Sequence, residues 1–361
     1  MIEKYKRVAK RYHSQMTDFT KEYLSNRGIT EKSMKRYCIG EALNYHSEQQ
    51  EEITDFNKKM KPLFWERVTF PLINAKKEVV GFSARALRKD ETIKYLNSKS
   101  SNLFNKSEFL YGEHMPIKEG DKCILVEGQI DNILINQLGG YYPLNALGSS
   151  ISLAQMRRIK EMGFKEVYIM GDDDKAGKMF NYKVGKLALE VGLYPIIIKQ
   201  VEKYNDWGEV VALQKNLWTL EEQKQILDEC ERVDYFKYIL DPFEKMSPHK
   251  AQSYYDDYIK GIDFSVADIQ QMKKYKTILS LKKQSVVRKY VKFAKNLFDG
   301  AELTITPLEE VALRKIDLID KIYRDKDFII CNDTTKELYL HKNKDLSPQE
   351  GKIFLWLLNL V

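Results

Sequence analysis

Two acidic clusters stand 45 residues apart in this chain: Glu127-Gly128-Gln129-Ile130-Asp131 and Asp172-Asp173-Asp174-Lys175-Ala176-Gly177. Each directly follows a short apolar run, Cys123 to Val126 in one case and Val167 to Met170 in the other. Apolar runs of that length read as buried parallel strands, and the residues after each have the pattern of a helix. In an open α/β sheet the ends where strands give way to helices share one rim, so Glu127, Asp172 and Asp174 are expected to meet there. Carboxylates that converge without basic partners repel one another, and a hard divalent cation such as Mg²⁺ relieves the repulsion. The chemistry this predicts is metal-dependent phosphoryl transfer.

The D-x-D spacing puts Asp172 and Asp174 on the same side of an extended segment, where both can reach one ion or two adjacent ions. Asp173 then points elsewhere. Asp206, just before Trp207, has two readings, a further carboxylate for the metal or a helix cap for the segment from Gly208.

The elements that must position these groups follow from periodicity. Residues 1–60 read as helices, with Phe19, Tyr23 and Leu24 on one face, Gly28 as a stop and Thr30 as the next start. Residues 68–73 and 79–83 form a predicted hairpin around 74–77, and residues 93–97 a further extended stretch. Between Lys122 and Gln200 the pattern alternates as βα units. Strands are predicted at 124–126, 142–147, 166–170 and 195–198, and helices at 130–138, 152–162 (capped by Ser152) and 177–191. Four strands with three crossover helices make a small parallel sheet. Beyond Trp207 the chain is predicted mostly helical to Phe298, with Pro242 and Pro248 as breaks. A helix at 308–323, a hairpin at 328–341 and a closing helix from Ser347 complete it. The fold class is α/β, with an α+β N-terminal subdomain, a parallel-sheet subdomain and a helical C-terminal region. The corresponding domain limits are 1–120, 121–215, 216–300 and 301–361.

The 361 residues are enough for two or three domains with proper cores. No apolar run approaches membrane-spanning length, and the first residues lack the apolar stretch of a signal peptide, so the expected location is a bacterial cytoplasm with no membrane partner. Cys38, Cys123, Cys230 and Cys331 are scattered singly, which argues against a zinc ribbon or a disulfide framework. The net charge of +7 sits entirely in residues 1–120, which hold 23 Lys and Arg against 16 Asp and Glu. A basic module ahead of an acidic site suits a polyanionic partner. Residues 273–295 add nine Lys and Arg without an acid, either a solvated helix or a surface for nucleic acid or an acidic protein.

Residues 126–131, 145–149 and 171–178 together resemble the TOPRIM module of bacterial primases, topoisomerases and some nucleases. Upstream, Arg67-Val68-Thr69-Phe70-Pro71-Leu72, Val80-Gly81-Phe82-Ser83-Ala84-Arg85, Lys94-Tyr95-Leu96-Asn97-Ser98, Leu103-Phe104-Asn105-Lys106 and Leu110-Tyr111-Gly112 are similar to the N-terminal part of the DnaG-type primase polymerase domain. Residues 23–29 and 36–40 match the helices that open that domain, and the similarity runs from about residue 10 to about residue 215. The resemblance implies that Glu127, Asp172 and Asp174 are catalytic and bind Mg²⁺ or Mn²⁺, with Asp131 and Asp206 as weaker metal ligands. It implies that Arg85, Lys94, Tyr95, Asn97 and Lys106 line a groove for nucleotide or template. The implied function is a DNA primase: a DNA-directed RNA polymerase, hence a nucleotidyltransferase, that makes short RNA primers on single-stranded DNA from ribonucleoside triphosphates.

Primases of this type usually begin with a Cys/His zinc module, and no such pattern occurs in this sequence. Template recognition is therefore expected from a separate zinc-binding protein or from the C-terminal region. A replicative helicase is the expected partner of that region, and a phage or other mobile element the expected source. Two competing readings stay open: a TOPRIM nuclease using the same metals, and a non-catalytic DNA- or helicase-binding replication factor. A nuclease has no need of a triphosphate groove at residues 67–112, and a scaffold gains nothing from clustered acids.

Overall fold

The computed structural model describes residues 1–43, 64–88, 91–148, 150–214, 217–267 and 269–278, together with four short strands nearer the C-terminus. The chain divides into two compact units, Met1–Tyr238 and Ile239–Val361. The expected limits at 120 and 215 both fall within the first.

That unit opens with α1 (Ile2–Ser14), whose Tyr5, Val8, Ala9 and Tyr12 recur at helical spacing and are buried. Tyr5 and Tyr12 meet the ring of Phe82 edge-on at 6.0 and 5.4 Å. The Thr17 hydroxyl accepts from the Thr20 amide to cap α2 (Asp18–Asn26), and Thr30 accepts from Ser33 to cap α3 (Glu31–Arg36). Gly28 supplies the left-handed turn between them at φ +82°. Phe19 departs from its expected place: the buried stripe of α2 is Thr20 and Leu24, one turn apart, and Phe19 lies off it, 66% exposed.

The strands β1 (Gly40–Glu41), β2 (Arg67–Ile73), β3 (Val79–Ala86) and β4 (Tyr95–Asn97) form an antiparallel sheet in that order. The β2–β3 turn is closed by Asn74, whose side-chain oxygen accepts from the Lys76 and Glu78 amides. The two-residue β1 was not expected, because a strand that short leaves no periodicity.

The second sheet carries β5 (Lys122–Val126), α4 (Gln129–Leu138), β6 (Tyr141–Leu144), α5 (Leu153–Glu161), β7 (Glu166–Met170), α6 (Lys175–Glu190), β8 (Tyr194–Ile198), α7 (Trp207–Gln214), α8 (Leu220–Glu229) and β9 (Arg232–Asp234). Its strand order is β6-β5-β7-β8-β9, parallel throughout except that β9 runs antiparallel to β8. The predicted four-stranded parallel sheet is thus a five-stranded sheet with one antiparallel edge. From β5 the chain moves outward to β6 and then returns to place β7 on the other side. The order reverses between β5 and β7, and crevices at such reversals are where open α/β sheets bind ligands.

Ser152 caps α5 through a reciprocal capping box with Gln155, as expected. Replacing Ser152 with Ala removes one side of that box and is expected to cost about 1 kcal/mol in chemical denaturation.

Helix α9 (Tyr235–Lys245) contains Pro242, so that proline does not break the chain as predicted. Pro248 does, and begins α10 (Pro248–Tyr254), where its missing amide forfeits no intrahelical bond. A π-helical stretch at Tyr255–Ile259, a short 3₁₀ turn at Phe264–Val266 and helical residues 269–278 follow. Nearer the C-terminus β10 (Glu302–Leu303), β11 (Ile329–Ile330), β12 (Leu338–His341) and β13 (Lys344–Asp345) pair antiparallel, which includes the two arms of the expected 328–341 hairpin. The helices predicted for residues 44–60, at 308–323 and from 347, and the basic residues 279–295, lie outside the described residues. Among the described residues no helix is long and apolar enough to cross a membrane.

Candidate active site

Glu127 leaves the C-terminal end of β5 and Asp172 follows β7, the two strands that flank the reversal. The two acidic clusters touch: the Asp172 amide donates to Glu127 Oε1 at 2.9 Å. Asn145, at the end of β6, donates its side-chain amide to the Val126 carbonyl at 3.3 Å and to that of Glu127, which fixes the backbone beneath the carboxylate. Asp174 caps α6, its Oδ1 accepting from the Gly177 amide at 2.8 Å. Asp173 turns away as expected, ion-paired to Lys178 at 3.2 Å while its amide donates to the Asn205 carbonyl.

Asp131, in the first turn of α4, accepts from the Gly208 amide at 2.8 Å, and Asp206 accepts from Glu209 at 2.6 Å. Both acids therefore serve the N-terminus of α7. That gives Asp206 the capping role left open by the sequence, without removing it from the acidic group.

The electrostatics are those of an uncompensated cluster. Burial first, then Glu127, Asp131, Asp206 and Asp174, push the Asp172 carboxyl up to about 8. Burial also raises Glu127, and burial with the neighbouring Asp206 raises Asp131 to about 6 against the pull of the Gly208 amide and Arg85. Among the described residues no lysine or arginine pairs with Glu127, Asp172 or Asp174. Nor do any three His, Cys, Asp or Glu side chains already converge closely enough to hold an ion. Glu127 and Asp174 each have one oxygen turned onto a backbone amide, and among the described residues the second oxygen of each makes no hydrogen bond. The donor set is all carboxylate, which fits a hard divalent cation and not a thiophilic one.

The residues expected in a groove divide into three groups. Arg85 is buried, 8% exposed, and donates to the Tyr95 hydroxyl at 2.6 Å with its guanidinium 5.2 Å from the Tyr95 ring centre. Its charge is felt at Asp131, so Arg85 and Tyr95 form an internal post between the first sheet and the acids. Asn97 and Lys106 converge instead on the loop after β6. Asn97 donates to the Leu147 carbonyl at 3.3 Å, and the Lys106 ammonium lies 3.2 Å from where a side chain on Gly148 would begin. Lys94 is exposed and forms no ion pair among the described residues. Leu147 is buried at φ +58°, a costly conformation for a branched side chain and one that clusters at functional loops.

Three contributors escaped sequence reasoning. Gln129 donates to the Ser83 hydroxyl at 3.0 Å and ties α4 to β3. Gly171 and Gly177 let the acidic loop lie on the first turn of α6: a Cβ at Gly177 would stand 2.0 Å from the Asp172 carbonyl oxygen. The signal for the last two was the glycine on either side of the Asp run.

Residues 8–116 match the family model described as DNA primase catalytic core, N-terminal domain, and residues 124–211 match the Toprim-like model. Residues 8–211 are thus similar to a DNA primase catalytic core, its N-terminal domain followed by a Toprim-like module. The DNA primase of Rickettsia prowazekii is 32% identical over 197 residues, 49% of this chain and 33% of that protein. The DNA primase of Listeria monocytogenes is 26% identical over 283 residues, 65% of this chain and 44% of the relative. The chain thus spans between a third and a half of the length of these curated primases. The fold agrees with the RNA polymerase domain of Mycobacterium tuberculosis primase DnaG at a TM-score of 0.61 and 16% identity, covering 77% of this chain and 97% of that one. It agrees with the zinc-binding and RNA polymerase domains of Aquifex aeolicus primase at 0.59 and 22%, covering 77% and 71%. Another solved DnaG catalytic domain of the same fold, at a TM-score of 0.57, is bound to single-stranded DNA. The first sheet lies within the stretch that matches the N-terminal domain model, and the β5–β8 region lies almost wholly within the stretch that matches the Toprim-like model.

Proposed function

We propose that this chain is a template-dependent primase that joins ribonucleotides into short RNA primers on single-stranded DNA during DNA replication. The observation that carries the reading is the contact between the two halves of the core. Gln129 is bonded to Ser83, Asn97 to Leu147, and Arg85 acts on Asp131, so the first sheet forms one wall beside the acids. A nuclease would need the acids without that wall.

Glu127, Asp172 and Asp174 would hold divalent cations, Mg²⁺ or Mn²⁺, with Asp131 and Asp206 behind them. Such ions, when bound, favour attack of the primer's 3′-hydroxyl on the α-phosphate and neutralise the pyrophosphate that leaves. The chain's own residues set the geometry. Asn145 and the Asp172 amide hold Glu127, Gly177 seats Asp174, and Arg85, held by Tyr95, lends its positive charge to Asp131 on α4. Lys106 and Lys94 offer ammonium groups to the phosphates of nucleotide or template, and Asn97 steadies the loop that Lys106 overhangs. A replicative helicase and a separate zinc-binding recognition protein are the proposed partners, and a phage or bacterial cytoplasm the proposed setting.

The test is purified protein with single-stranded DNA, labelled ribonucleotides and Mg²⁺ or Mn²⁺, repeated with a helicase and a zinc-binding recognition protein added. Short RNA is the expected product. Shortening of the DNA, lost on the same acid substitutions, would replace the primase reading with the nuclease. Lys106→Ala is expected to weaken single-stranded DNA binding and to flatten its dependence on the logarithm of salt concentration by about 0.7, the loss of one phosphate contact. An unchanged slope in a salt titration would remove Lys106 from the groove.

A further inference from the structure

Exposed apolar residues are scattered along the described chain, but three fall together where α7 gives way to α8: Leu213 at 63% exposed, Leu217 at 73% and Leu220 at 38%. Single ones are ordinary on a protein surface, and a run of neighbours is not. Helix α7 already buries Trp207, Gly208, Val210 and Val211 on its inner side, so Leu213 makes its outer side apolar as well. A helix of that kind is normally enclosed. The turn that follows keeps the leucines together, because the amides of Leu217 and Trp218 both donate to the Gln214 carbonyl, at 2.8 and 3.1 Å. Leu213 and Leu217, four residues apart, therefore share one face. Leu220 comes next as the first residue of α8, fixed there by the reciprocal capping box of Thr219 and Glu222.

Both ends of this apolar stripe are acidic. Glu209 is exposed one turn before Leu213, and Glu221 and Glu222 are exposed directly after Leu220. Glu209 accepts from the Asn205 amide and Glu222 from that of Thr219, contacts that leave the negative charge in place. No cation balances it: the described residues from Tyr204 to Gln223 include no lysine or arginine, Lys215 lying outside them, and Lys224, one turn beyond Leu220, is taken up by Asp228. From Glu209 to Leu217 the stripe runs about 12 Å, or about two turns of a helix laid along it. Apolar side chains spaced one turn apart on such a helix would cover the leucines, and lysines or arginines beside them would meet the acids.

From this arrangement we infer that the α7–α8 connection is a protein-docking surface whose occupant is a basic amphipathic helix of a partner protein, seated on Leu213, Leu217 and Leu220 with its cations against Glu209 and Glu221. Asp131 and Asp206 serve the opposite end of α7, so the partner is held about one helix length from the catalytic centre and leaves the acids open. The docking holds whatever reaction those acids perform.

The experiment is a fluorescence-anisotropy titration of the full chain with two labelled synthetic helices that share one pattern of leucines at i, i+3, i+4 and i+7, the first flanked by lysines and the second by glutamates. The lysine helix is expected to bind with a Kd on the order of micromolar, and the glutamate helix about tenfold more weakly or worse. Leu213→Ser and Leu217→Ser together, both at exposed positions where the fold is spared, are expected to weaken the lysine helix by about tenfold. Glu209→Lys with Glu221→Lys is expected to reverse the preference between the two helices. Asp172→Asn is expected to leave both affinities unchanged. No binding of the lysine helix up to ~1 mM overturns the inference, as does equal binding of the two helices or binding that follows Asp172→Asn and not the leucines. Light scattering that finds the wild type dimeric and the double leucine variant monomeric would also overturn it, by giving the stripe to a second copy of this chain.

Discussion

Asp172→Asn is expected to abolish primer synthesis, by a factor on the order of 10²–10³ or more, since a lost metal ligand forfeits several kcal/mol of charge stabilisation at the reacting phosphate. The same variant is expected to behave oppositely in stability. In EDTA the wild-type carboxyl is raised from 3.8 to about 8, chiefly by burial and then by Glu127. The folded protein therefore keeps a proton on Asp172 across a range where the unfolded chain has released it. Stability from this group is complete below about pH 4 and is lost as pH rises through 8. Asparagine cannot ionise, so the variant should escape the alkaline decline and exceed the wild type at pH 9 by roughly 1–2 kcal/mol, a value reduced for the partial exposure of the site. Mg²⁺ or Mn²⁺ should raise the wild-type melting temperature and leave that of the variant unmoved. A variant that melts with the same pH profile as the wild type, or that still responds to the ions, would show that the carboxylates are not mutually repelling ligands.

Gly177→Ala carries the second large effect. In the first turn of an exposed helix, Gly to Ala ordinarily stabilises, by up to about 1 kcal/mol. Here the added methyl would fall 2.0 Å from the Asp172 oxygen and 2.4 Å from its nitrogen, both backbone atoms that no rotamer change can move. Gly171 faces the same constraint from the other side, its Cβ position lying 2.5 Å from the Gly177 oxygen. Helix α6 must therefore slide away from the acidic loop, at a cost of about 1–3 kcal/mol, carrying Asp174 with it. A displacement of about 1 Å at a reacting centre is worth about 10²-fold in rate. The expected result is a lower melting temperature together with a loss of priming. A rise in melting temperature with priming intact would mean that helix and loop are not in register as described.

The central strands and their acids were legible because their signals are local. A run such as Val167 to Met170, entered and left by polar residues, can hardly be read otherwise, and Ser152 with Gln155 spells its own cap. β9 was not legible, because Arg232-Val233-Asp234 offers one buried residue and owes its conformation to pairing with β8. Arg85 shows the matching limit at the site. Sequence similarity marked it for the groove, but its burial against Tyr95 depends on β4 lying antiparallel to β3, with Arg85 opposite Tyr95. The D-x-D spacing led to the expectation that Asp172 and Asp174 share one side of the loop. It did not say that Asp174 would also begin a helix.

The two outer strands of the five-stranded sheet bear on solubility. On one flank β6 carries Pro143, which has no amide to donate to an incoming strand. On the other, β9 is three residues long and brackets its single apolar side chain between a cation and an anion. Neither flank offers a stranger's chain a usable row of hydrogen-bonding groups, so this sheet resists growing by accretion when the protein is concentrated.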